Sequence, residues 1–141
     1  MVIIVGFLTF LAIVVGVVIA QRELRLTTNT RRAEFLNVLD HRFCTEEGFT
    51  QIRREIRNGQ LTINPDNEMM VSDYLGFFEV LSVFRRSGIL SDHEIYSQFG
   101  AYIIEAKNNK AIHSLLRSEQ GFWSGFREIA QRMEEISAKY Q

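Results

Sequence analysis

The first twenty residues constrain everything that follows them. Of the 19 positions from Val2 to Ala20, 16 are hydrophobic, and only Gly6, Thr9 and Gly16 interrupt the run. As a helix this stretch would rise on the order of 28 Å, close to the ~30 Å of hydrocarbon in a bilayer. Fourteen of its residues are Val, Ile, Leu or Phe. Each contributes about −0.3 to −0.6 kcal/mol on insertion, so the sum favours the bilayer by several kcal/mol. A soluble helix of that length would show a polar face. The run therefore predicts a transmembrane helix over residues 1–21. A cleaved signal peptide is the competing reading, because Val18, Ile19 and Ala20 loosely imitate a small-x-small cleavage site. Against it stand the absence of Lys or Arg before the run and a length beyond the ~7–15 residues of a signal core.

Charge sets the expected orientation. Arg22, Arg25, Arg31 and Arg32 crowd the C-terminal flank of the run, and no Lys or Arg precedes it. The basic side should stay in the cytoplasm, with the N-terminus outside and the domain inside at the inner (plasma) membrane. That side also suits a lone reduced thiol, Cys44. The same arginines could meet anionic lipid headgroups, at about 1 kcal/mol each near the surface, although a topology signal alone accounts for them. Within the run, Ala12, Gly16 and Ala20 recur every fourth residue, a small-residue stripe that lets a second membrane helix approach closely.

Beyond residue 20 lie all 16 Lys/Arg and all 17 Asp/Glu, and the hydrophobic share falls to roughly 40%. About 120 residues can bury one core and are too few for two. One proline, one cysteine and a net charge of −1 exclude collagenous, disordered and disulfide-framed chains. They also give no electrostatic footprint for nucleic acid.

No alternating strand pattern is present, so the expected fold is all-α: one N-terminal transmembrane helix followed by a bundle of about five helices. Residues 22–44 read as a juxtamembrane stalk helix with Leu36, Leu39 and Phe43 on one face, and residues 45–141 as the cytoplasmic bundle. Thr45 is expected to cap a helix that turns Phe49, Ile52 and Ile56 inward and ends at Asn58-Gly59. Pro65, Asp66 and Asn67 should start the next helix, Glu68 to Arg86. It has eleven apolar residues between Met69 and Phe84, too many for one stripe, which marks it as central. Its polar line is narrow (Glu68, Ser72, Gly76, Glu79), and Ser72 with Gly76 leave room for a close crossing.

Ser87-Gly88 closes that helix, and Ser91 with Glu94 forms a capping box for another. Its buried face is Ile95, Phe99, Tyr102, Ile103 and Ala106. Asn108-Asn109 breaks it, and a short helix follows around Ala111 to Arg117. In the last helix, from about Gly121, Phe122, Phe126, Ile129, Met133, Ile136 and Tyr140 form a heptad seam under three heptads long. Packing within the chain is the favoured reading, and a seam for a partner the other.

Catalytic and metal constellations fail on inspection. His41-x-x-Cys44 has no second pair to complete four ligands, and His93-Glu94 is followed at position 97 by Ser where a zinc protease motif needs its second His. Cys44 beside His41 or His113 makes a poor nucleophile–base candidate. The glycines stand singly, so no phosphate loop exists. Arg53, Arg54 and Arg57, with Arg85 and Arg86, read as solvated basic faces broken by Glu46, Glu47 and Glu55. The expectation is therefore a non-enzyme with no cofactor, no metal, no nucleic-acid partner and no evident small-molecule substrate. Glu79 is the one polar residue that stands out, inside Leu75-Gly76-Phe77-Phe78-Glu79. It is expected to be a buried, structural carboxylate, paired with an Arg or Lys or capping a helix.

Leu75 to Glu79, followed by Arg85-Arg86-Ser87-Gly88-Ile89-Leu90-Ser91, resembles an uncharacterised family of short bacterial and phage proteins. Many of these have one N-terminal membrane helix and a helical domain of unknown function. The resemblance runs from about Arg31 to Tyr140 and departs from the family pattern at Gly76, where that pattern has Asn. It implies the same architecture and a bacterial or phage origin, and it implies no activity. Two functions stay open. One is a membrane-tethered, non-enzymatic interaction module or accessory subunit that meets membrane lipid and a protein partner or a second copy. The other is a phage-related effector or immunity protein acting at the inner membrane.

Overall fold

The computed structural model describes residues 2–140, with side chains from Val15 onward. Among these residues there are six helices and no strands: α1 (Val2–Thr45), α2 (Glu47–Arg57), α3 (Glu68–Arg86), α4 (Asp92–Asn108), α5 (Lys110–Ser118) and α6 (Ser124–Lys139). They fall into two compact units, residues 1–39 and 40–141.

The first unit is helical throughout its described length. Thr27, Thr28 and Thr30 donate their hydroxyls to the carbonyls of Glu23, Leu24 and Leu26, so these polar groups are satisfied by their own helix. Most of the expected membrane span falls on residues 1–14, whose side chains lie outside the described residues. Among the described residues, no helix is long and apolar enough to cross a membrane. Ala12 of the small-residue stripe also lies outside them; Gly16 and Ala20 are exposed, and a Cβ at Gly16 would meet nothing within 4 Å. Arg22, Arg25 and Arg31 are exposed, and Arg32 is half-buried.

In the second unit α3 is the hub, packed against α2, α4 and α6, while α5 packs on α4. Its buried face is broad, as the density of apolar residues requires: Val71, Tyr74, Leu75, Phe77, Phe78, Leu81 and Ser82. The core is aromatic and centres on Phe43 from the last turn of α1. Its ring lies 5.0 to 5.8 Å from those of Phe49, Tyr74, Phe77, Phe78, Phe99 and Tyr102. Arg53 of α2 lies over the Phe43 ring at 4.6 Å and donates to the Phe43 carbonyl at 3.1 Å. One side chain thus adds a cation–π contact and satisfies a carbonyl that the helix end would orphan.

This placement corrects the expected start of α2. Thr45 is the last residue of α1, its hydroxyl given to the His41 carbonyl, and Glu46 stands at the N-cap without a side-chain cap. The helix that carries Phe43 into the core runs on to Thr45, and the chain turns at the single residue Glu46.

The other helix ends follow local chemistry. Gly59 and Gly88 have φ of 67° and 74°, the left-handed region that a side chain would disfavour. Each closes a Schellman motif, Gln60 N–H to Glu55 O and Ile89 N–H to Phe84 O. The Ser91–Glu94 capping box is complete in both directions. Asn109 both ends α4 and caps α5, its side-chain oxygen accepting from Ala111 and Ile112. Pro65 lies in a turn ahead of α3, where Asn64 accepts from Asp66 and Asn67, and α3 begins at Glu68 as expected. One expected start shifts. Helix α6 begins at Ser124 and not near Gly121, because Trp123 turns inward, 6% exposed, with its indole N–H on Glu119.

Candidate functional site

Glu79 is the polar residue the sequence singles out, and its partner is a backbone group. Its Oε1 accepts from the Phe126 N–H at 2.8 Å. Phe126 is the third residue of α6, whose N-cap position holds Trp123, a side chain with no acceptor. The first N–H groups of a helix need an acceptor and favour a negative charge. Glu79 supplies both from a different helix. Of the two expected pairings, the cap is realised, and no Arg or Lys pairs with Glu79 among the described residues; Glu79 is half-buried, not buried.

The contact requires Gly125. A Cβ there would collide with Glu79 Oε2 and stand 3.2 Å from the Cβ of Ser82. The close α3–α6 crossing is therefore at Glu79, Ser82 and Gly125. The expected crossing residues, Ser72 and Gly76, are only half-buried, and a Cβ at Gly76 would meet nothing within 4 Å. Ser82 is fully buried and its hydroxyl has no hydrogen-bond partner among the described residues. A small side chain is what the crossing requires there, and the hydroxyl comes with it.

A second polar cluster, which the sequence reading missed, joins three helices. Asp92, the first residue of α4, accepts from Arg85 Nε at 2.5 Å and from Arg132 Nε at 2.7 Å. Arg85 also reaches Glu128, and Arg132 reaches Glu135. Burial opposes ionisation of Asp92, but the hydrogen bonds from Arg85 and Arg132 outweigh it and hold the carboxyl below its ordinary value. A depressed folded-state pKa adds stability above the unfolded pKa, about 3.9, which is lost as pH falls through the folded value. Asp92→Asn should thus cost on the order of 1 kcal/mol at neutral pH, given the partial exposure of the cluster. Thermal unfolding should show the gap from wild type constant between about pH 7 and 5 and closing below about pH 4. A gap that persisted in acid would mean the contribution is not ionic.

The expected seam of the last helix divides. Phe126, Ile129 and Met133 are fully buried against the chain's own core, with the Phe126 ring 5.9 Å from Phe78. Ile136 is half-buried, whereas Phe122 and Tyr140 are 77% and 70% exposed. Tyr140 stacks on Tyr96, and Phe122 meets only Trp123 edge-on among ring contacts of the described residues. On α3, Val80 and Val83 are about half exposed, one turn apart and continuous with the open position at Gly76; Met69, nearer the helix start, is 78% exposed.

Among the described residues no group of His, Cys, Asp and Glu could hold a metal ion. Cys44 is exposed, its thiol 3.9 Å from Asp40 Oδ1, and His41, His93 and His113 are exposed as well. Arg53, Arg54 and Arg57 line a cavity of about 340 Å³ with Cys44, Thr50, Asn58 and Tyr102. In it, Arg53 is committed to Phe43, and Arg57 lies 3.8 Å from Glu105. A larger open groove, about 520 Å³, runs between α4, α5 and α6. Comparison of the chain with protein-family models, curated proteins and solved structures finds no match.

Proposed function

We propose that this chain is a membrane-tethered, non-enzymatic interaction module, an accessory subunit held at the inner membrane with its bundle in the cytoplasm. The observation that carries the reading is the exposure of apolar side chains on the bundle, Val80 and Val83 one turn apart on α3 and Phe122 ahead of α6. The tether is supported by the apolar run Val2–Ala20, by Val15, Val17, Val18 and Ile19, each about half exposed on α1, and by the arginines that follow. The two features reinforce each other. A surface of a few side chains is too small for a stable interface between freely diffusing proteins, which needs about 800 Å² per partner. Confinement to one membrane raises the effective concentration and makes a small patch sufficient. The occupant is then an apolar helix of a protein anchored in the same membrane.

The test is chemical crosslinking of the full chain in intact membranes, followed by affinity purification in a nonionic detergent, beside a Val80→Glu/Val83→Glu variant. Both positions face solvent, so the variant should keep its melting temperature. Wild type should retain a stoichiometric membrane partner and the variant should lose it. Retention by both would move the interface elsewhere. A second copy of this chain as the only retained species would make the module a homo-oligomer, and a monomer with nothing bound would overturn the reading.

A further inference from the structure

The groove between α4, α5 and α6 is lined by Lys107, His113, Arg117 and Arg127, with the amides of Gln120 and Gln131, and by no carboxylate. In a chain of net charge −1 this is a local excess of positive charge. Arg127 is its fixed element. Its guanidinium donates to the main-chain carbonyls of Leu116, Glu119 and Gln120, closing the C-terminal end of α5. Neutral carbonyls hold the group in place, and no carboxylate pairs with it among the described residues. Lys107 is neutralised by Glu134. Arg117 and His113 are exposed and form no ion pair among the described residues. Two guanidinium charges, an imidazole and two amides thus border one opening, whose apolar lining is Leu116 and Phe126. Its volume is in the range of small-molecule sites, about 300–1,000 Å³.

We propose that this groove binds a phosphate ester, with Arg127 as the preorganised donor and Arg117 and His113 closing on the ligand from α5. A phosphate has enough acceptor oxygens for several of these donors at once, and charge-assisted hydrogen bonds from guanidinium are the strongest of them. The cavity beside Arg53, Arg54 and Arg57 is the weaker candidate. It is smaller, Arg57 in it lies 3.8 Å from the Glu105 carboxylate, and Arg53 lies over the Phe43 and Tyr102 rings.

The phosphate could be free in solution or carried on a lipid headgroup. Two probes separate these: inorganic pyrophosphate, and short-chain phosphatidic acid carried in nonionic detergent micelles. Each is titrated against the full chain by calorimetry. At least one should bind, and Arg117→Gln should weaken it roughly tenfold or more, the weight of one charge-assisted hydrogen bond. His113→Gln should weaken it less. Arg54→Gln, on the other basic surface, should leave it unchanged. Binding of pyrophosphate indicates a soluble ligand, and binding of phosphatidic acid alone a headgroup. An equal loss in Arg54→Gln would reveal general charge attraction and overturn the proposal, as would the failure of both probes to bind.

Discussion

Phe43→Ala is expected to destabilise the bundle by about 3–5 kcal/mol, the range for deleting a fully buried phenylalanine. That is a large part of the stability of a domain this size. The side chain is 0% exposed and touches six other rings. Its loss would leave a cavity at the centre and remove the face on which Arg53 stacks. The melting temperature of the full chain should fall by roughly 15 °C or more. Val38→Ala, on an exposed position of the same helix, should change it little. The same geometry makes a statement about fragments. A chain beginning near Thr27 carries Phe43 and should fold as a cooperative helical unit, whereas one beginning at Glu47 should not. Cooperative unfolding of the shorter fragment at the same temperature would show that the last turn of α1 is dispensable.

Glu79 and Gly125 should behave as a coupled pair. Removing a cap costs about 1–2 kcal/mol, so Glu79→Ala should lose about that much and stay folded. This is below the ~3–5 kcal/mol that a buried ion pair would have implied, because the partner is a backbone N–H and the carboxylate is only half-buried. Gly125→Ala should cost more, about 2–3 kcal/mol, since the new methyl group displaces the carboxylate and crowds Ser82. That figure is net of the ~0.5–1 kcal/mol that alanine gains over glycine in a helix. With Glu79→Ala already present the methyl group has room, and Gly125→Ala should become cheaper by about 1 kcal/mol or more. Denaturant unfolding of the four chains measures this. Strict additivity would mean that the crossing relaxes without involving Glu79.

The helices themselves were legible along the chain. Glu68 to Arg86 matches its expected bounds, and the stops at Asn58-Gly59 and Ser87-Gly88 and the Ser91–Glu94 box are as read, because each signal acts over four or five residues. The reading slipped where a distant contact decides a local conformation. Thr45 looks like an N-cap until the helix that carries Phe43 into the core is seen to run on to it. Phe122 looks like part of a helix until Trp123 is seen to turn inward onto Glu119. The heptad spacing of the last helix correctly marked Phe126, Ile129 and Met133 as one face, and their full burial within this chain is what leaves only Phe122 and Tyr140 largely exposed.

The same division holds for the polar residues. Composition and spacing were enough to say that Glu79, set among apolar neighbours, would need a partner, since a carboxylate leaving water must be compensated somewhere. Which group compensates it depended on the crossing of α3 and α6, 47 residues apart in sequence. Arg85, Asp92 and Arg132 carry no motif at all and read as separate surface charges until three helices bring them together. Local backbone chemistry decides where helices start and stop, because caps, glycines and periodicity act within a turn. Packing alone decides which side chains meet, because that choice is made through space, by the faces that must be buried at once.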